Sequence, residues 1–365
     1  MSQSLPAFGT SKTDKVVISI DGMSGDKGCS AIVGGMALSA LENPQIFFIV
    51  HGDEKQLRPL IAKAAELAGR TEIRHTTKVI AMGDKPSHAM RQGKESSMWN
   101  ALETVEQGEA TVAVSCGNTG ALMAIAMLRL RKVPGVIRPA IACFWPSGNS
   151  AGWNVLLDVG ADIRADADDL FQYAIMGASY ARNALNIPKP RVGLLNVGVE
   201  EHKGRSELHD AAEAIAAIAP NSDFEYVGYV EGNEMASGRV DVIVSDGFSG
   251  NIALKTGEGT ATMIRKMTRD AFAYSILSRI GALFAMTSLK RLSARIDPRN
   301  ANGGVFLGLN GTVVKSHGGA DAKGIAAAIK LAFSLAQKGF AQKLAARVAA
   351  SLALRQNMPA TVVEN

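Results

Sequence analysis

The residues of this chain best suited to chemistry are lysines, asparagines, a histidine and a set of carboxylates, standing in short glycine-rich stretches that follow apolar, β-branched runs. The leading instance is Asp241-Val242-Ile243-Val244, followed by Ser245-Asp246-Gly247-Phe248-Ser249-Gly250-Asn251, with Lys255 one turn into a helical pattern that opens at Ile252. Strand, glycine-rich turn and helix in this order aim backbone N–H groups and the positive end of a helix dipole at one point, as binding of a small phosphate-like anion requires. The same layout also serves as a plain strand-to-helix connection. Four more stretches repeat it: Asp21 through Asp26, Ser115 through Asn118, Thr119 and Gly120, Asn196 through Glu201 and Lys203, and Lys315 through His317 and Asp321. In an open α/β sheet ligands bind beyond the carboxyl ends of the strands, so the five turns are expected to face one pocket.

The elements that must position these residues alternate. Strands are predicted at 16–21, 45–50, 72–76, 110–115, 141–145, 154–159, 192–195, 223–230, 241–244 and 311–315. Helices are predicted at 30–41, 54–68, 99–107, 121–132, 166–186, 206–219, 322–337 and 340–354, with a long helical region over 259–294. This alternation implies parallel pairing with helices on both faces of the sheet. The stretch from Pro146 to Gly152 is too short for a crossover helix, so the strands it joins should be antiparallel neighbours. No internal repeat or low-complexity tract divides the chain. The expected organisation is a tail at 1–14, one catalytic unit at 15–355 that includes an amphipathic hairpin over 268–296, and a second tail at 356–365.

Composition narrows the function classes. The chain has 365 residues, 47% hydrophobic and 20% charged, an ordinary globular balance. Cys29, Cys116 and Cys143 are far apart with no C-x-x-C spacing, so neither a disulfide framework nor a zinc site is suggested. No metal and no cofactor are expected. The polar opening segment lacks the apolar core of an export signal, and no apolar run has the length of a membrane span. A cytoplasmic protein is expected. Between 263 and 299 eight basic residues stand against two acidic ones, enough to account for the whole chain's excess of +5. Such a face suits an anionic membrane surface or an acidic protein partner. No nucleic-acid-binding motif is present and aromatic residues make up only 5%, so no nucleic-acid partner is expected.

Six pieces of the chain, in order, carry a resemblance: Ser96-Ser97-Met98, Ser115 to Leu122 (SCGNTGAL), Leu157 to Ala161 (LDVGA), Leu195 to Gly204, Ser245 to Lys255 (SDGFSGNIALK) and Lys315 to Gly318. Together they resemble the acyl-ACP:phosphate acyltransferases of bacterial phospholipid synthesis, the PlsX type, over about residues 16–335. The resemblance implies transfer of a long fatty acyl group from acyl carrier protein to inorganic phosphate, giving acyl phosphate. It also implies a three-layer α/β/α, isopropylmalate-dehydrogenase-like fold, a homodimer, and work beside the cytoplasmic membrane. The chain departs from the family pattern in three places. Gly22, Ser24 and Lys27 stand where alanine, glycine and histidine are usual, so no role is carried to Lys27, while Asp21 and Asp26 keep theirs. Val199 replaces the first of three acidic residues before Glu200 and Glu201. Cys116 stands where alanine is expected.

On this reading Lys255, Lys203 and Lys315 are candidates for phosphate and oxyanion charge, or are plain surface lysines. Asn118, Asn196 and Asn251 can donate amide N–H groups. His317 either protonates the leaving thiolate, hydrogen-bonds phosphate or is structural. Asp246 orients a lysine or fixes its turn. Asp21, Asp26, Ser97, Ser115, Thr119, Gly120, Glu201, Gly247, Ser249 and Gly250 complete the expected substrate-binding set. Cys116 is assigned to packing rather than to nucleophilic attack, because the family chemistry runs with alanine there. A phosphate acetyltransferase using acyl-CoA and a non-enzymatic peripheral membrane scaffold are the rival readings. A nicotinamide dehydrogenase lacks support, since no G-x-G-x-x-G follows a strand. The hairpin should break near Gly281 or Thr287-Ser288 and carry its apolar stripe on Ile276, Ile280 and Leu283, widened by Leu277 and Phe284, either against a membrane or against a second subunit.

Overall fold

A computed structural model describes residues 15–200, 202–296 and 303–356, without the side chains of residues 290 and 292–296. The tail expected at 1–14, nearly all of that at 356–365, and the candidate Glu201 lie outside the described residues. Among the described residues eleven strands form one sheet: β1 Val16–Asp21, β2 Ile46–Gly52, β3 Thr71–His75, β4 Val112–Ser115, β5 Ala140–Pro146, β6 Trp153–Leu157, β7 Arg191–Leu195, β8 Glu225–Val230, β9 Val242–Val244, β10 Gly304–Leu307 and β11 Thr312–Lys315. The helices are α1 Gly28–Glu42, α2 Glu54–Ala62, α3 Pro86–Gln92, α4 Ser97–Glu106, α5 Thr119–Arg129, α6 Ala167–Ala184, α7 Ser206–Ile218, α8 Gly247–Ala273, α9 Ile276–Ile296, α10 Ala322–Gln337 and α11 Phe340–Gln356.

The period-two alternation of side chains along each strand sends successive apolar residues to opposite faces of the sheet. Ala142 and Phe144 of β5 join a core with α1, α6, α7, α10 and α11, whereas Ile141 and Cys143 join a second core with α3, α4, α5 and α8. The fold is therefore the expected three-layer α/β arrangement, and seven of its ten strand pairings are parallel.

Strand order decides where the functional turns go. The order is β3-β2-β1-β4-β11-β10-β5-β6-β9-β7-β8. β10 is antiparallel to both β11 and β5, and β6 is antiparallel to β5. Consequently β1, β4 and β11 run one way while β6, β7, β8 and β9 run the other. The expectation of five turns facing one pocket is corrected on this point, because the ends of β7 and β9 leave the sheet at the edge opposite to the ends of β1, β4 and β11.

Three local readings also change. α8 starts at Gly247, five residues earlier than its periodicity suggested, because Asp246 caps it by accepting the Ser249 N–H at 2.7 Å. The region predicted as helix over 54–68 stops at Ala62, followed by a short 3-10 turn at Ala65–Leu67. The hairpin breaks at Tyr274-Ser275 rather than at Gly281 or Thr287-Ser288, since the Ser275 hydroxyl accepts the Ser278 N–H at 3.0 Å and starts a new helix.

Candidate active site

The first group of turns closes a corner of the sheet. Ser115 Oγ donates to Asp21 Oδ2 at 2.6 Å and accepts from Gly117 N at 3.1 Å, which joins the ends of β1 and β4. Ser316 N donates to the Ser115 carbonyl at 2.9 Å and Asp26 N to the Gly318 carbonyl at 2.9 Å, which ties in the end of β11. Lys315 sits here with only 9% of its surface exposed, and burial pulls its ammonium below the usual lysine range while Asp21 and Asp26 pull it back up. Asp21 is itself buried, and its Oδ1 lacks a hydrogen-bond partner. The Lys315 ammonium donates to the Ser316 carbonyl, and it is near enough to Asp21 for the two opposite charges to favour each other.

Beside this corner opens a cleft of about 810 Å³. β10 lies between β11 and β5, pairing Gly304 with Lys315 and Val305 with Ala142, so the cleft crosses about two strand spacings, roughly 10 Å. Its cationic lining is Lys27, Lys255, Arg265 and Lys315, against the carboxylates Glu258 and Asp321, with Thr119 and His317 alongside. Its apolar lining comes from β5 and β6, through Ile141, Trp145 and Trp153, and from α8, through Leu254, Gly257 and Ala261. Lys255 Nζ is 2.8 Å from Glu258 Oε2. His317 is exposed and its Nδ1 accepts the Gly319 N–H at 3.2 Å.

The second group gathers at the other edge. Arg205 pairs with the buried Asp246, whose Oδ2 also receives the Ser249 hydroxyl at 3.2 Å. Asn196 gives its amide to the Lys203 carbonyl at 2.9 Å and accepts from Val197 N at 2.8 Å, so it holds its own loop together. Lys203 Nζ is 2.8 Å from Glu200 Oε1. The phosphate cradle expected over Ser245 to Asn251 is not open: Gly247 N donates to the Asp162 carbonyl at 2.7 Å, Ser249 N to Asp246, and Gly250 N to the Asp246 carbonyl at 2.9 Å. An anion there would also meet the Asp246 carboxylate. Gly247 and Gly250 are needed for close approach rather than for a turn, because a Cβ on them would stand 2.5 Å from Asp158 Oδ2 and 1.9 Å from the Asp158 carbonyl. Asp158 is fully buried, and burial pushes its carboxyl up to about 6 against hydrogen bonds from the Ile141, Gly160, Ala161 and Asp162 N–H groups.

Of the sequence candidates, the structure brings Thr119, Lys255, Lys315 and His317 to one cleft. Asp21, Asp26 and Ser115 stand behind it as supports. Asn118 serves its own turn instead, with its Oδ1 capping α5 at Ala121 N and its amide donating to the Met82 and Asp84 carbonyls. Gly120 backs onto Pro86, where a Cβ would stand 2.9 Å from the ring, and Ser97 is buried outside the cleft lining. Asn251 is exposed, with its amide nitrogen against Gly160. Sequence reasoning carried no role to Lys27, which lines the cleft, and passed over Trp145, Trp153, Gly257 and Ala261. For Trp145 a signal was present, since Ile141, Cys143 and Trp145 alternate along one strand, and for α8 the spacing Leu254, Gly257, Glu258, Ala261, Thr262 and Arg265 marks one helix face. Cys116 is buried and its thiol is pushed up to about 11, chiefly by desolvation, so it is protonated at neutral pH and inert as a nucleophile.

The fold and the site define a two-directional α/β protein with a buried lysine beside a cleft of mixed cationic and apolar lining. The chain belongs to the fatty acid synthesis protein family, which it matches over residues 16–343. A phosphate acyltransferase of Paracoccus denitrificans is 64% identical to it over 340 residues, covering 93% of this chain and 92% of that one. A phosphotransacetylase from Streptococcus pyogenes shares the fold with a TM-score of 0.61 at 16% identity, over 89% of this chain and 94% of its own. A 4-hydroxythreonine-4-phosphate dehydrogenase from Klebsiella pneumoniae shares it at a TM-score of 0.51 and 14% identity, over 88% and 100%. Transacylase and dehydrogenase thus use one architecture, and the fold by itself selects neither reaction.

Proposed function

We propose that the protein is a phosphate acyltransferase that moves a long-chain acyl group from the thioester of an acyl carrier protein to inorganic phosphate. The observation that carries this reading is a cleft of about 810 Å³ that joins the cationic corner around Lys315 to apolar side chains of β5 and α8. A phosphate oxygen attacks the thioester carbonyl carbon, the C–S bond breaks, and the proton of hydrogen phosphate ends on the departing thiolate. The products are acyl phosphate and free thiol. Thioesters are already activated, so the protein has to exclude water, align the two reactants and stabilise the developing oxyanion. Lys315 and Lys255 hold phosphate and oxyanion charge, Thr119 adds a hydroxyl donor, and His317 stands at the mouth where the thiolate leaves. Asp21 and Ser115 are positioning residues that fix the corner.

The direct test is thiol release from palmitoyl carrier protein with and without phosphate. Release that requires phosphate, with acyl phosphate as the product, is expected from the wild type and, with a small loss only, from Cys116→Ala. An acyl thioester trapped on Cys116 would replace direct attack by a two-step route. Turnover of acetyl-CoA in preference to the palmitoyl thioester would support the phosphotransacetylase-like alternative, which the extent of the apolar cleft disfavours.

The product needs delivery to a membrane, and the α8–α9 hairpin supports contact with an anionic one. No helix among the described residues is long and apolar enough to span a bilayer. The hairpin nonetheless exposes Leu277, Phe284 and Tyr274 at 80%, 88% and 90%, together with Ile276, Ile280 and Leu283. Lys266, Arg269 and Arg279 are exposed nearby on the same two helices, and each basic side chain near an anionic surface contributes about 1 kcal/mol. On this reading the protein works in the cytoplasm at the inner face of the cell membrane, as a homodimer. Leu283→Glu with Phe284→Glu is expected to abolish co-sedimentation with anionic vesicles while soluble turnover continues. A double variant that still pelleted but fell into monomers would make the tip a subunit interface.

A further inference from the structure

The apolar part of the cleft has a construction that the acyl-transfer reading does not by itself require. The Trp145 indole lies against the backbone of α8, where Gly257 leaves room for it: a Cβ at Gly257 would stand 2.1 Å from the indole ring. One helical turn further on, Ala261 continues the same wall. From Leu254 to Arg265 this face of α8 advances roughly 17 Å, the reach of a long chain rather than of an acetyl group. The cleft volume of about 810 Å³ is large for a small-molecule site, more than Lys255 and Lys315 need to hold a phosphate.

We infer that Trp145, seated on Gly257, and Ala261 form the measuring wall of an acyl-chain channel and set the chain length the enzyme prefers. This rests on the acyl-transfer reading of the same cleft. The occupant is the saturated tail of the substrate, whose carbonyl lies at the Lys315 end and whose methyl end runs along α8 past Gly257 to Ala261. Both clues are chemical. Past Leu254 the small residues Gly257, Ala261 and Thr262 alternate with Lys255, Glu258 and Arg265, and facing Trp145 they leave an apolar strip that is continuous with the cationic corner where the reacting carbonyl must sit. Each methylene moved out of water into such a wall is worth about fourfold in kcat/KM. A side chain that fills the channel therefore penalises long tails and spares short ones.

The experiment compares kcat/KM for palmitoyl and octanoyl thioesters at saturating phosphate in the wild type, Ala261→Phe and Trp145→Ala. Ala261→Phe is expected to lower the palmitoyl-to-octanoyl ratio by about fifteenfold, the cost of roughly two methylenes denied their site. Trp145→Ala removes the wall and is expected to raise the ratio. Because the ratio is taken on one preparation, a partly unfolded variant scales both substrates alike and does not imitate the effect. A ratio unchanged within twofold in both variants, or shifted the same way in both, overturns the channel assignment while acyl transfer by the wild type stands. Failure of the wild type itself to release thiol in a phosphate-dependent way overturns the acyl-transfer reading and the channel with it.

Discussion

Lys315→Met is expected to lower kcat/KM for phosphate-dependent thiol release by about a hundredfold to a thousandfold, the usual cost of removing one preorganised charge from a developing oxyanion. The side chain is nearly buried at the end of β11, faces the cleft, and is held among Asp21, Asp26 and Cys116. Methionine keeps its length and its apolar stem, so the loss reports charge rather than packing. Arginine should not rescue it, since a planar guanidinium does not fit the space of a buried ammonium. The pH profile carries an independent sign. Burial lowers the Lys315 pKa below that of an ordinary lysine, so the charged, active form is lost earlier as pH rises, and the alkaline limb falls below the range of a solvent-exposed amine. Asp21 opposes that shift, and Asp21→Asn should move the limb to still lower pH. Lys203→Met is the contrast, because Lys203 lies at the other edge of the sheet paired with Glu200, and a loss below about tenfold is expected there. A loss at Lys203 as large as at Lys315 would move the phosphate to the second group of turns.

Gly250→Val is expected to destabilise the whole fold by roughly 3 kcal/mol or more, the scale of a core overpacking that cannot relax. The reason is the Cβ position, 1.9 Å from the Asp158 carbonyl oxygen and 2.5 Å from Ser245 Oγ. Backbone at Asp158 cannot yield easily, because its carboxylate is pinned by N–H groups from Ile141, Ala161 and Asp162 at 2.7 to 2.8 Å. Activity should fall with folded fraction, measured by thermal unfolding beside the thiol-release assay. Gly259→Ala on the same helix provides the opposite result. An added Cβ there meets nothing within 4 Å, and alanine favours an exposed helix interior over glycine by about 1 kcal/mol, so the unfolding midpoint should rise. A Gly250→Val protein as stable as the wild type would contradict the close approach of α8 to Asp158.

The sequence by itself determined the fold class and the family. Alternating apolar runs force strands and helices to cover one another, and the six co-linear motifs point to an acyltransferase without any coordinates. Most element positions were legible for the same local reason, since caps and periodicity act within a few residues. α10 appears at the predicted residues 322–337, where Asp321 caps it by accepting Gly324 N at 3.0 Å. Even the β5–β6 hairpin was legible, from its short connection.

What the tertiary structure alone decided is which polar residues meet. β10, at Gly304–Leu307, showed no clear pattern in the sequence, yet it separates β11 from β5, and the β5–β6 hairpin beside it turns the chain direction over for the rest of the sheet. Strand order is a contest among long-range pairings, and no local propensity encodes it. For that reason the glycine-rich turns looked equivalent in the sequence but separate into a cationic corner at Lys315 and a capped, self-satisfied cluster at Asp246. Asn118 and Asp246 carry residue types that serve equally as ligands and as helix caps, and only the positions of Met82, Asp84, Arg205 and Ser249 around them assign them to the second role. Trp145 and Gly257 are 112 positions apart in the chain and meet because β5 and α8 pack in one layer contact, which is a fact of packing density rather than of pattern.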